Sequence, residues 1–104
     1  MSEARVYWLR LELQDEIASM RGKRICVDPP PGFAELPKDV LSPRRVTHRI
    51  RGVLARYGNV DRVSVSARHR PYTDIFLEFY DVDTGYPLTT FEALLDTLES
   101  TGPR

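Results

Sequence analysis

From Ala4 to Leu13 the chain alternates. Tyr7, Leu9, Leu11 and Leu13 fall on one side; Val6, Trp8, Arg10 and Glu12 fall on the other. A period of two predicts a strand over 5–13 with one apolar face. Gln14 to Met20 reads as a loop or a single helical turn. Residues 23–27 form a weaker strand candidate, closed by Pro29-Pro30-Pro31-Gly32. Those prolines cannot donate to a ladder and favour an extended path. The stretch to Leu41 reads as ordered loop, anchored by Phe33, Leu36, Val40 and Leu41.

The period then lengthens. Ser42-Pro43 supplies an N-cap hydroxyl followed by proline at the first helical position. Val46, Ile50, Val53, Leu54 and Tyr57 share one helical face, which predicts a helix over 43–57 with Gly58 as a left-handed C-cap. Residues 60–68 alternate again, with Val63, Val65 and Ala67 inward and Arg62, Ser64, Ser66 and Arg68 outward. His69 to Tyr72 reads as a turn. Residues 73–80 form a second strand, with Ile75, Leu77 and Phe79 inward and Phe76, Glu78 and Tyr80 outward. Thr89-Thr90-Phe91-Glu92 reads as a capping box, with Glu92 three residues after the cap. It opens a helix over 90–99 with Leu94, Leu95 and Leu98 on its apolar stripe. The expected core joins these stripes to Leu9, Leu11, Val63, Val65, Ile75, Leu77 and Phe79. The expected fold is α+β: one domain over 1–104, a two-layer sandwich of a mostly antiparallel sheet with two helices on one face.

That arrangement selects a candidate binding surface. The sheet face away from the helices would carry Trp8, Arg10, Arg62, Arg68, Phe76 and Tyr80. A cluster of exposed aromatics with arginines marks an interface more than scattered aromatics do. Arg45, Arg49 and Arg56 would line up beside the apolar stripe of the first long helix.

Charge changes this picture. The 104 residues carry no net charge, yet residues 44–70 hold eight arginines against Asp61 alone, and residues 71–104 hold Arg104 against seven acids. Thirteen of the fifteen cations are arginine, whose planar fork suits carboxylates, phosphates and aromatic faces. Either the two halves neutralise each other, or the basic stretch meets an acidic partner.

The middle of the chain resembles an RNA-recognition motif of the ferredoxin-like class. The likeness rests on helix 43–57, on Arg56-Tyr57-Gly58-Asn59-Val60-Asp61-Arg62-Val63, on the hairpin into Phe76-Leu77-Glu78-Phe79, and on the following helix. Val6-Tyr7 is similar to the start of the family's first-strand motif. The resemblance implies stacking of bases on Phe76. It departs from the family at Asp74, where another aromatic is expected, and at Arg10, where asparagine is typical. About thirty residues also separate the first strand from the first long helix, where the family has a short connection.

Other chemistry finds little footing. Asp81-x-Asp83-x-Gly85 has too few oxygen ligands at the spacing of a calcium loop and reads as an acidic turn. His48 and His69 have no third metal ligand at zinc spacing. Cys26, between Ile25 and Val27, reads as a buried thiol with no histidine placed to activate it. No glycine-rich phosphate cradle, nucleophile elbow or zinc-protease helix occurs. The expectation is therefore a binding module, not an enzyme, with no metal and no small-molecule cofactor. Its partner would be a protein or a second copy of itself; alternatively, it would be single-stranded RNA or DNA held by stacking and phosphate contacts. With one cysteine, no membrane span and no signal-peptide pattern, an intracellular setting is expected, in the cytoplasm or in the cytoplasm of a virus's host.

Overall fold

A computed structural model describes residues 3–20, 24–25, 40–68 and 75–100. In chain order these form helix α1 (Glu3–Met20), strands β1 (Arg24–Ile25) and β2 (Val40–Leu41), helix α2 (Pro43–Leu54), a 3-10 turn (Val60–Arg62), strands β3 (Val63–Arg68) and β4 (Phe76–Asp81), and helix α3 (Phe91–Glu99). The fold is α+β, with three helices rather than two. The expectations for Cys26, the prolines at 29–31, the anchors Phe33 and Leu36, the turn at 69–72 and Asp74 lie outside the described residues.

The largest correction concerns the N-terminal segment, where the expected strand is the 18-residue helix α1. Leu9, Leu13 and Met20 are buried, and Val6 and Ile17 pack beside them. Offsets of three, seven, eleven and fourteen from Val6 follow the helical period. Leu9 and Leu13, four residues apart, satisfy a period of two and of 3.6 equally; Val6, Ile17 and Met20 extend the helical stripe and separate the two. Leu11, expected in the core, lies across the helix from Leu9. The ferredoxin-like layout needs a strand at 5–13, and a helix occupies that segment.

The second helix follows its signals closely. The Ser42 side chain accepts the Arg45 N–H at 3.1 Å, and Pro43 opens the helix. The helix proper ends at Leu54, and a tighter turn follows, in which the N–H groups of Arg56 and Tyr57 donate to Val53 and Leu54. Gly58 does not have the expected left-handed backbone: Gly85 is the one positive-φ glycine among the described residues, at 74°. Gly58 is required for another reason. A Cβ there would overlap the Leu98 carbonyl of α3, and the next residue, Asn59, donates its N–H to that same oxygen at 2.8 Å. In α3 the cap is Thr90, whose side chain accepts the Ala93 N–H at 3.1 Å. Glu92 therefore stands one position too early for the reciprocal capping box.

The hairpin keeps its expected register. β3 and β4 pair antiparallel, with Val65 opposite Phe79, Ala67 opposite Leu77 and Arg68 opposite Phe76. The inward pairs pack on the core, and Phe76 is 51% exposed. Beyond β4, Tyr80 bridges to Pro87, so residues 86–88 fold back along the strand's far edge. α1 packs on α2 and α3, while α2 lies on β3. The core is thus a three-helix cluster roofed by one face of a hairpin. No helix among the described residues is long and apolar enough to cross a membrane.

Candidate functional site

The nine residues expected to form one binding surface are divided among several places. Trp8 and Arg10 stand on α1, not on a sheet face, because their segment is helical. Arg68, Phe76 and Tyr80 do share the outer face of the hairpin, as the register requires. Arg45, Arg49 and Arg56 lie on α2 or in the turn after it. Arg62, expected outward on β3, belongs to the 3-10 turn; its side chain is 11% exposed, donates to the Ser100 carbonyl at 3.0 Å and lies 3.9 Å from Asp83.

Most of these arginines pair with acids of the same chain. Arg49 donates to Glu16 at 2.6 Å and to Ser19 at 2.8 Å, tying α2 to α1. Arg56 lies 3.6 Å from Glu12, Arg51 3.3 Å from Asp61 and Arg68 2.9 Å from Glu78. Segregated charge along the sequence is therefore largely neutralised in three dimensions. The basic stretch finds acids on α1 as well as in the last third.

On the hairpin's outer face, Glu78 also accepts from the Tyr80 hydroxyl at 2.6 Å. That hydrogen bond to a carboxylate holds the Tyr80 phenol above its ordinary pKa. Between β4, residues 87–91 and Leu94 runs a groove of about 360 Å³, lined largely by apolar atoms of Leu77, Phe79, Leu88 and Phe91.

A second hollow, about 370 Å³, lies at the N-terminal end of α1 and is lined by Arg5, Trp8, Glu12, Arg56 and Tyr57. Arg5 donates to the Tyr57 carbonyl at 2.6 Å, stands over the Tyr57 ring at 5.7 Å and pairs with Glu99 at 3.1 Å. The Tyr57 hydroxyl donates to Glu12. Burial, and next that bond to a carboxylate, push the Tyr57 phenol up to about 12. Above this polar floor stand Tyr7 and Trp8, 50% and 54% exposed, with ring centroids 5.3 Å apart at 77°. The Arg10 guanidinium is 6.0 Å from the Tyr7 ring.

The period-two reading missed what this face of α1 has in common. Ala4, Tyr7, Trp8, Leu11 and Ala18 fall at offsets of zero, three, four, seven and fourteen, a second helical stripe opposite the core stripe. All are exposed except Leu11, which is half-buried. Counting at 3.6 residues per turn from Ala4 would have found it.

Among the described residues, no three His, Cys, Asp or Glu side chains are placed to hold a metal ion. The Asp81–Gly85 segment is a hydrogen-bonded turn: Asp81 accepts the Asp83 N–H at 2.9 Å on its side chain and the Gly85 N–H at 2.8 Å on its carbonyl. Comparison of the chain with known family models, with curated proteins and with solved structures finds no match.

Proposed function

We propose that this chain is a non-catalytic binding module whose working surface is the outer face of α1. The observation that carries the reading is the two-sided character of that helix. A surface helix normally places its apolar residues in one stripe toward the core. α1 has a second stripe, and its two large members are Tyr7 and Trp8, the aromatic types that dominate binding energy at protein interfaces. Arg10 and Arg56 at its margin are of the third enriched type. The mixed charge nearby, Arg5, Glu12, Arg56 and Glu99, suits a protein better than a polyanion.

The test is site-specific. A photo-reactive phenylalanine analogue at Ala18 should cross-link to a partner in cell extract, and Trp8→Ala should reduce the yield about tenfold, as for a hot-spot aromatic. The same analogue at Glu92, on α3, should give none of that product. Equal yields from both sites, or none from Ala18, would sink the reading.

A second reading keeps to the hairpin, where Arg68 stands directly across from exposed Phe76 with Tyr80 on the same face. Together with α2 and α3 this is the part that resembles ferredoxin-like RNA-binding domains. There, single-stranded nucleic acid would stack on Phe76. Phe76→Ala should then weaken oligonucleotide binding by about 1–3 kcal/mol with little change in salt dependence. Binding at low salt that ignores Phe76 would count against it.

A further inference from the structure

One edge of β4 pairs with β3, and the other edge is half covered. Val82 donates its N–H to the Arg62 carbonyl at 3.0 Å. Hydrogen-bonded pairs recur at every second residue of an antiparallel ladder. Tyr80, Glu78 and Phe76 therefore turn their backbone groups toward Ser64, Ser66 and Arg68, while Asp81, Phe79 and Leu77 turn theirs the other way. On that outer edge Asp81 donates its N–H to the Tyr86 carbonyl at 2.9 Å, and the Phe79 carbonyl accepts the Leu88 N–H at 2.7 Å. Residues 86–88 thus act as a short third strand, antiparallel to β4. After Leu88 the chain leaves the edge, because Thr90 caps α3. Leu77 is the next outward residue, and neither its N–H nor its C=O has a hydrogen-bond partner among the described residues.

The open place is not flat. Leu77 lines the groove of about 360 Å³, together with Phe79, Leu88, Phe91 and Leu94. A donor and an acceptor on one strand residue, beside an apolar hollow, fit one class of ligand. An extended peptide supplies the complementary C=O and N–H and sends alternate side chains to the same side. An apolar small molecule would fill the hollow and shut the two backbone groups away without partners, which is costly. The molecule itself displays the fitting occupant, since residues 86–88 already pair along the same line.

We propose that the groove beside Leu77 takes a short extended segment of a partner protein, added antiparallel to β4 in line with residues 86–88. One residue of that segment exchanges both main-chain bonds with Leu77 and directs an apolar side chain into the groove. Its two neighbours lie on the outer face, beside Phe76 and Glu78. Glu78 is already held by Arg68 and Tyr80, so recognition there is apolar and main-chain rather than ionic. This surface is separate from the outer face of α1, and the proposal does not depend on that reading.

The probe is a display library of random octapeptides, selected on the full chain. It should enrich sequences with apolar residues at alternate positions. A synthetic copy of the enriched peptide should slow hydrogen exchange at the Leu77 amide about tenfold and leave Val65 and Ala67, on the hairpin's opposite edge, unchanged. An ester scan along that peptide should find one N–H whose replacement by oxygen weakens binding about tenfold, with the N–H groups on either side of it indifferent. These replacements are in the probe, so the fold is untouched. No enrichment over an unrelated protein overturns the proposal, as does protection of Val65 and Ala67 in place of Leu77, or binding indifferent to every ester. Leu77 protection that appears on concentrating the chain alone also overturns it and assigns the edge to a second copy. Equal protection by an eight-nucleotide oligothymidylate does the same in favour of nucleic acid, which has no line of amides to offer.

Discussion

Helices α1 and α2 lie side by side in one core, yet they are built in opposite ways. α2 places Val46, Ile50, Val53 and Leu54 inward and covers its other sides with Arg44, Arg45, His48 and Arg51. Its ends are fixed by backbone and cap: Ser42 at the start and the Gly58–Leu98 approach just past the end. α1 has no comparable cap or backbone stop among the described residues. It is held by Leu9, Leu13 and Met20 and by side-chain bonds to its neighbours, Glu16 to Arg49, Glu12 to Tyr57 and Arg5 to Glu99. Its opposite side carries Ala4, Tyr7, Trp8, Leu11 and Ala18, interrupted by Gln14 and Asp15. α2 is a scaffold helix; α1 is scaffold on one side and binding surface on the other, in our reading.

The contrast can be broken most directly by truncating leucines on the two sides of α1. Leu9 is fully buried, whereas Leu11 sits on the outer stripe. Leu9→Ala removes a side chain from a packed core and should cost about 2–5 kcal/mol in urea unfolding. Leu11→Ala, measured in dilute solution, should cost clearly less than Leu9→Ala, because Leu11 is only partly buried, lies outside the buried core and alanine is the better helix former. Equal costs would show that both sides of α1 are core and that no face is left for a partner.

How much of this could be read in the sequence differs between the same two helices. α2 carried three independent signals: a cap, a first-turn proline and a stripe lasting three turns. The hairpin's alternation likewise held over both strands, so the exposure of Phe76 and the inward turn of Leu77 were legible. α1 carried one signal, and it was ambiguous. Val6 to Leu13 contains alternating leucines and β-favouring aromatics, and local preference cannot separate helix from strand over eight residues. Tertiary packing of Leu9, Leu13, Ile17 and Met20 against α2 and α3 decides it. Because the candidate site was built by adding that supposed strand to a sheet, the site inherited the error. Trp8 on α1 and Arg56 in the turn after α2 line one hollow, Phe76 and Tyr80 line another, Arg10 stands over Tyr7 and Arg68 stands across from Phe76. Arg49 and Arg62 were legible as cations but not as internally bonded ones. Their partners, Glu16 and the Ser100 carbonyl, are thirty-three and thirty-eight residues away.

Gly58 sharpens the account of how α2 is anchored. If the close approach to Leu98 fixes the exit from α2, Gly58→Ala should destabilise the fold by about 1–3 kcal/mol, the usual range for overpacking. The added methyl meets backbone, which cannot swing aside as a flexible side chain could. Were Gly58 merely a permissive turn residue with φ below zero, alanine would be neutral or slightly stabilising through the unfolded state. Chemical denaturation of the variant separates the two outcomes by their sign.

The finest distinction concerns the polar seam between the two helices, where Tyr57 reaches from the turn after α2 to Glu12 on α1. An unperturbed tyrosine titrates near 10, and in the folded chain Tyr57 does so at about 12. The folded state therefore holds this proton more tightly than the unfolded state. By linkage, the stabilisation from Tyr57 is fully present below pH about 10 and is lost as pH rises from there through about 12. Tyr57→Phe removes both the bond and the titration. At pH 9 the variant should be less stable than the parent by about 1 kcal/mol, the size of a typical hydrogen bond to a charged group after partial solvent screening. The gap should narrow steadily between pH 10 and 12, since only the parent has a phenol to lose. Comparing the two proteins at each pH cancels the titration of lysines and of the other tyrosines. A gap that stays constant across that window would mean that Tyr57 joins α1 to α2 by packing alone, and that the hydroxyl's bond to Glu12 contributes nothing to holding the two-sided helix in place.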